Sequence, residues 1–463
     1  MNAGVELSLR ESMAASLGVS PALDTIDMRG TAGWVSPYPV SALASAAVAT
    51  FGAAITELAV ALDWARPELL VDRSRVDNWF RQALRPVGWE APAPWDSVAG
   101  DYATRDGWIR LHTNAAHHRR AALDVLGCAA DRDEVAAAVS RWAARELEDG
   151  VVAAGGCAAE LRSPAEWAVH PQGRAVAAEP LVDIQSTGAG TAVATAWRSA
   201  PNRPLAGLRV LDLTRVLAGP VATRALAGLG AEVLRIDPPW WDEESLELDM
   251  TLGKRCARLD LRDPDARDQL EQLLTRADVL VHGYRPGALD RLGLDAVTRE
   301  HLRPGLVEVS LSAYGHTGPW ASRRGFDSLV QMSSGVAAEG LLSGRADRPT
   351  PLPVQALDHA TGWLMAAAAI IGLASRQRDG AGTRWRLSLA RTAVELESAR
   401  SPLEATVSTG SSADRDDHGG GTEVVTAWGP AELLQPPLGG PEIRLAWDLA
   451  PRPLGSDAPV WLD

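Results

Sequence analysis

From residue 208 onward the chain alternates short apolar runs with helical stretches, and this alternation admits few folds. Leu208 to Leu213 reads as a strand. Ala218-Gly219-Pro220 follows, then a helix from Val221 to Leu229 that Gly230 closes. Ala231 to Asp237 is the next strand, ended by Pro238 and Pro239. A strand, helix and strand joined by such short turns form a parallel pair with a right-handed crossover. Asp263 to Ala277 continues the pattern as a helix with acids in its first turn, where the macrodipole favours them. Val279 to Val281 and Leu306 to Leu311 add strands, and Asp358 to Leu373 adds a long apolar helix. The class is α/β.

The first 200 residues read differently. They hold Ala-rich helices, Val40 to Leu62 and Glu134 to Leu147. They also hold one strand-like run, Gly107 to His112, with a helix from Ala115 to Leu126. The run Val40 to Ala44 echoes Val354 to Asp358, and at the same spacing Ala46, Ala53, Ala54 and Ser74 echo Ala360, Ala367, Ala368 and Ser388. The echo places Ala44 where the later copy has Asp358, so the first copy is expected to be a degenerate, structural one. Three blocks are expected: 1–200, 201–400, and a tail at 401–463 that begins with a Ser-, Asp- and Gly-rich loop. Ser186 to Pro204, containing Gly188, Gly190, Pro201 and Pro204, is read as the loop that joins the first two blocks.

Charge narrows the partners. The 463 residues carry a net charge of −14 and no basic block, which argues against nucleic acid. A few local arginines and a helix N-terminus still suffice for an anionic ligand. Three scattered cysteines, Cys128, Cys157 and Cys256, suggest neither a disulfide framework nor a zinc site, and a reducing cytoplasm is expected. The start of the chain lacks a basic segment followed by an apolar run, so no signal peptide is expected. The most apolar stretch, Trp363 to Leu373, is short for a bilayer and reads as a buried helix, so no membrane partner is expected.

Several stretches in order are similar to the family III CoA-transferases, the CaiB/BaiF group that includes formyl-CoA and carnitine-CoA transferases. Pro204 to Thr214 (PLAGLRVLDLT) opens the series; Leu217 to Pro220 (LAGP) and Leu229 to Asp237 (LGAEVLRID) follow. Gly253 to Leu261 (GKRCARLDL), Ala277 to Gly287 (ADVLVHGYRPG), Tyr314 to Pro319 (YGHTGP) and Gly325 to Asp327 (GFD) complete it. Asp106 to Leu111 (DGWIRL), Gly150 to Gly155 and Glu166 to Pro171 resemble segments from the far end of the same family. The chain therefore resembles a permuted or partly duplicated member.

The resemblance implies a Rossmann-like parallel sheet domain built from both chain halves, plus a smaller α+β domain. It implies acyl-CoA and carboxylic acid substrates, no tightly bound cofactor, no metal, and a homodimer. It makes Asp358 the catalytic nucleophile, attacking a thioester to give a mixed anhydride and then an aspartyl-CoA thioester. Read locally, Asp358 is an acid at a helix start, where capping is the ordinary role. CoA contacts are implied at Arg215, Ala218, Asp237, Lys254, Arg255, Arg258, Arg285, Phe326 and Asp327; for the basic residues, a solvated surface charge is an equal reading. Arg215 to Ala218 stands where formyl-CoA transferase lines its substrate with His and Gln, which points to a bulkier or more apolar acyl group. Pro238 replaces an arginine of the family, so adenine contacts must differ. The related racemases pair the Asp with a His at the position of Phe326; losing it argues against racemization, and His359 points away from Asp358 on the helix. A racemase or isomerase of the same family, or a non-catalytic CoA-binding member, are the alternatives. His418 to Gly421 reads as a glycine loop that covers the site or as a plain linker.

Overall fold

The structure is a computed structural model and describes residues 3–187, 197, 199–400 and 420–462. A seven-stranded sheet organises it. Its strands are β1 (Asp183–Ser186), β2 (Arg209–Leu213), β3 (Glu232–Asp237), β4 (Lys254–Arg258), β5 (Val279–His282), β6 (Val307–Ser312) and β7 (Thr383–Ser388). Their order is β4-β3-β2-β5-β6-β7-β1, all parallel except β1, which runs antiparallel along β7. The strand order reverses between β2 and β5, and in such doubly wound sheets ligands bind at the carboxyl ends beside that reversal. One strand, β1, comes from the first half of the chain, so both halves build the sheet.

Alternation along the strands feeds two cores. Val210, Val233, Val281 and Val309 face one side, where the helices α1 (Val40–Ala61), α4 (Ala218–Gly228) and α6 (Ala356–Asp379) lie. Leu211, Leu234, Ile236 and Leu280 face the other, against Leu270, Leu273, Leu274 and the tail residue Trp461. The helix read as Asp358 to Leu373 is longer, 24 residues, and is buried through Ala374. It and α1 are long and apolar enough to cross a membrane, and both are buried inside the protein.

The echoed segments share an order of elements. Helix α1, the strand Leu69–Asp72 and the helix α2 (Arg73–Arg81) parallel α6, β7 and α7 (Leu389–Ser398). Each strand runs parallel to an earlier one, Ile26–Arg29 in the first case and β6 in the second. The two long helices pack on each other, with Phe51 edge-on to Trp363 at 5.0 Å between ring centroids. Helix α1 begins behind Pro39, and its fifth residue, Ala44, is fully buried.

A smaller unit holds the three-stranded antiparallel sheet Gly100–Ala103, Trp108–Leu111 and Ala158–Glu160, packed under α3 (Ala116–Leu126). The expected helix from Glu134 to Leu147 is two helices, Arg132–Val139 and Ala144–Ala153. The break comes where Asp106 accepts the N–H of Ala144 and Arg105 donates to the carbonyl of Trp142. Gly188, Gly190, His418 and Gly419 lie outside the described residues. Gly420 and Gly421 lead into the hairpin Thr422–Thr426 and Gly429–Leu433, which pairs with Leu84–Pro86.

Candidate active site

The turn between β2 and α4 sets one wall of the site. Asp212, fully buried, accepts the N–H and hydroxyl of Thr214 and the hydroxyl of Thr223, locking strand to helix. Lys254 donates to the same carboxylate at 3.1 Å and to the carbonyl of Pro220 at 3.0 Å. Gly219 is required here, because a Cβ would come within 2.2 Å of Thr214. Val216 takes a left-handed φ of 69°, a costly conformation for a β-branched residue, and donates its N–H to Glu243. Strain of this kind concentrates at functional sites. It turns Arg215 and Ala218 toward a cleft of about 420 Å³ at the strand ends.

Asp358 lines this cleft, and it is the only carboxyl among the described residues that does. It sits in the first turn of α6, 6 % exposed. Burial raises its pKa well above the carboxylate range, the charge of Asp327 raises it further, and the backbone N–H of Ala218 works in the opposite direction. Capping falls to Asp327. The Asp327 carboxylate heads α5 (Asp327–Ser334) and accepts the N–H of Asp358 at 2.9 Å. Gln331 donates to the other oxygen of that carboxylate. Burial pushes Asp327 up to about 6 against these donors.

The rest of the cleft is cationic and aromatic. Arg215 lies 5.1 Å from the ring of Trp241 and 5.7 Å from that of Tyr284. Arg285 has its pKa lowered by burial and by the neighbouring charges of Arg324 and Arg291. Arg285, Arg324, His117, His118 and Phe326 all line the space. His112 stacks on the Phe326 ring at 3.7 Å, and His118 sits edge-on to it at 5.9 Å. Burial pushes both histidines down to about 3, so both are neutral at physiological pH.

Of the expected site residues, the structure brings together Asp358, Arg215, Ala218, Arg285 and Phe326 in the cleft, with Asp327 directly behind. It places four others elsewhere. Lys254 is fully buried and committed to Asp212 and Pro220, so no face of its ammonium meets solvent. Arg255 donates to the carbonyls of Val460 and Ala458, and Arg258 to those of Pro239 and Leu454, so both fasten the tail and its neighbouring loop. Asp237 is buried between Arg235 and Arg215. His359 turns away from the cleft and stacks on Phe80 at 5.1 Å, as its helix position predicts. Sequence reasoning missed His117, His118, Trp241 and Arg324. The histidines begin a helix that was legible, yet nothing local shows that this helix end meets a strand end a hundred residues later.

The geometry defines an α/β protein whose sheet reversal holds a cationic, aromatic cleft around one buried carboxyl. Residues 205–426 match the pattern of CoA-transferase family III. An acyl-CoA transferase of Gibberella moniliformis is 32% identical over 316 residues, covering 62% of this chain and 54% of that protein. The succinyl-CoA:glutarate CoA-transferase of Mus musculus is 34% identical over 194 residues, covering 39% and 44%. A crystal structure of a hypothetical protein from Mycobacterium tuberculosis is 33% identical over 43% of this chain and 58% of that one, with a TM-score of 0.38. The chain spans about half the length of the curated relatives it matches.

Proposed function

We propose that this protein is a CoA-transferase that passes coenzyme A from an acyl-CoA donor to a carboxylic acid through Asp358. The observation that carries the reading is the single carboxyl lining the cleft, set among arginines. The Asp358 carboxylate attacks the thioester carbon, the C–S bond breaks, and CoA thiolate leaves a mixed anhydride. The thiolate then attacks the aspartyl carbonyl, freeing the donor acid and forming aspartyl-CoA. The acceptor carboxylate attacks that carbonyl in turn, expelling the thiolate and forming a second anhydride. Thiolate attack on the acceptor's acyl carbon yields the new acyl-CoA and restores Asp358.

Arg215, Arg285 and Arg324 suit the phosphates of CoA, since cations crowded against one another favour an anion between them. Leu213, Val216, Ala313, Phe326 and Leu389 give the cleft an apolar side suited to the acyl chain. Trp241 and Tyr284 offer ring faces to the adenine. A homodimer in the cytoplasm belongs to the same reading, and sedimentation of the purified chain tests the dimer. The test of the reaction is intact-mass analysis after exposure to a panel of acyl-CoA donors. An adduct that hydroxylamine converts to a hydroxamate at Asp358 supports it; no mass change with any donor counts against it. The neutral His118 on the cleft wall keeps isomerisation as a second reading. Deuterium entering the α-carbon of a bound acyl-CoA in D2O, without transfer, is its signature.

A further inference from the structure

Two buried carboxyls meet at the start of α6, and they are held unequally. Asp327 accepts the backbone N–H groups of Asp358 and Leu357 and the amide of Gln331. Gln331 is itself fixed, its carbonyl oxygen accepting the N–H of Leu352 at 2.8 Å. Asp358 has the single N–H of Ala218 in its favour. Donors to a carboxylate stabilise its charged form. Two adjacent buried carboxylates cannot both be charged cheaply, so the one with more hydrogen-bond donors takes the charge.

We propose that Asp327 is the positioning residue of the nucleophile, fixing the first turn of α6 and holding the pair's single negative charge while the cleft is empty. This rests on the reading of Asp358 as nucleophile. The other charged and titratable groups near the pair leave this division intact: Arg215, Arg285, Arg323 and Arg324 line the same cleft, and none of their charges counters the burial of Asp358. Arg110 from the strand Trp108–Leu111 favours the Asp327 anion. His112 and His118 beside Phe326 are neutral, and His359, on the far side of α6 near Arg224, is neutral too. Asp358 thus waits as a protonated acid. It becomes a nucleophile only on losing its proton to solvent water in the cleft that it lines, as a CoA thioester binds there.

The experiment has two arms. The first labels aspartate carboxyl carbons with 13C and follows their shifts with pH, using Asp358→Asn to assign the signal. One carboxyl that stays protonated at neutral pH, and that ionises at least one pH unit lower in Asp327→Asn, is expected. If Asp358 ionises in the ordinary carboxylate range in the wild-type chain, the proposal is overturned, whether or not the variant folds. The second arm measures the rate of adduct formation against pH. Asp327→Asn should shift the profile to lower pH by a unit or more, and Asp327→Glu, which keeps the charge, should restore the wild-type midpoint at a reduced rate. A uniform loss of rate with an unmoved midpoint would show a purely structural cap. If the wild-type chain forms no adduct at all, the transferase reading fails instead, and the titration still decides the charge on Asp327.

Discussion

At the residue scale, one position sets reactivity against stability. Asp358 is buried with its charged form disfavoured, so its folded pKa lies above its unfolded one. Such a group stabilises the fold fully below the unfolded pKa, near 3.9, and that contribution is lost as pH climbs through the folded value. Asp358→Asn should therefore melt higher than wild type at pH 8, by about 1–3 °C, with the gap closing toward pH 4; paired thermal melts check this. A second contrast separates ligand-facing cations from buried ones. Arg285→Ala or Arg324→Ala should weaken CoA binding about ten- to hundredfold, with a normal melting profile. Lys254→Met leaves Asp212 charged and unpaired in the interior, and should cost about 3–5 kcal/mol of stability, read by denaturant titration. The sequence marks Lys254 and Arg285 alike as basic residues in family-like motifs. Only the fold shows that one points inward, because a strand's alternation says which residues share a face and not which face is dry.

At the scale of elements, the site depends on how closely α4 and α6 approach. A Cβ on Gly362 would lie 2.5 Å from the carbonyl of Ala218 and 2.8 Å from Val221. Gly362→Ala must push α4 outward, which costs about 1–3 kcal/mol and carries the Ala218 N–H away from Asp358. The expected result is slower adduct formation, measured by rapid-quench mass analysis, with CoA affinity changed far less. The elements themselves were largely legible. The run from Leu208 to Asp237 was readable because turn residues bracket it: Gly230, at a φ of 103°, closes α4, and Pro238 ends β3. The helix expected across Glu134 to Leu147 was not, because its break is made by Asp106, 38 residues before Ala144, and by Arg105 beside it. Capping at Asp358 was a sound local inference, and the structure gives the cap to Asp327 because a distant carboxylate reaches the same N–H groups.

At the scale of the whole molecule, the sheet takes strands from both halves, and its reversal gathers the site. Leu213 and Arg215 come from the end of β2, Gly283 and Tyr284 from the end of β5, and Ser312 from the end of β6. The smaller unit adds His117 and His118 from α3, and the paired long helices set Asp358 at the base of the cleft. That convergence rests on contacts between residues far apart in the chain, which periodicity cannot show; the ordered motifs indicated it only through their likeness to a family. The account stands on Asp358 being covalently modified by its substrate. Intact-mass spectrometry of the wild-type chain and of Asp358→Asn, after mixing with an acyl-CoA donor panel, tests this most directly. The account predicts an adduct, localised to the peptide containing Asp358, in the wild-type chain and none in the variant. An equal adduct in both, or CoA transfer that survives Asp358→Asn, would contradict it.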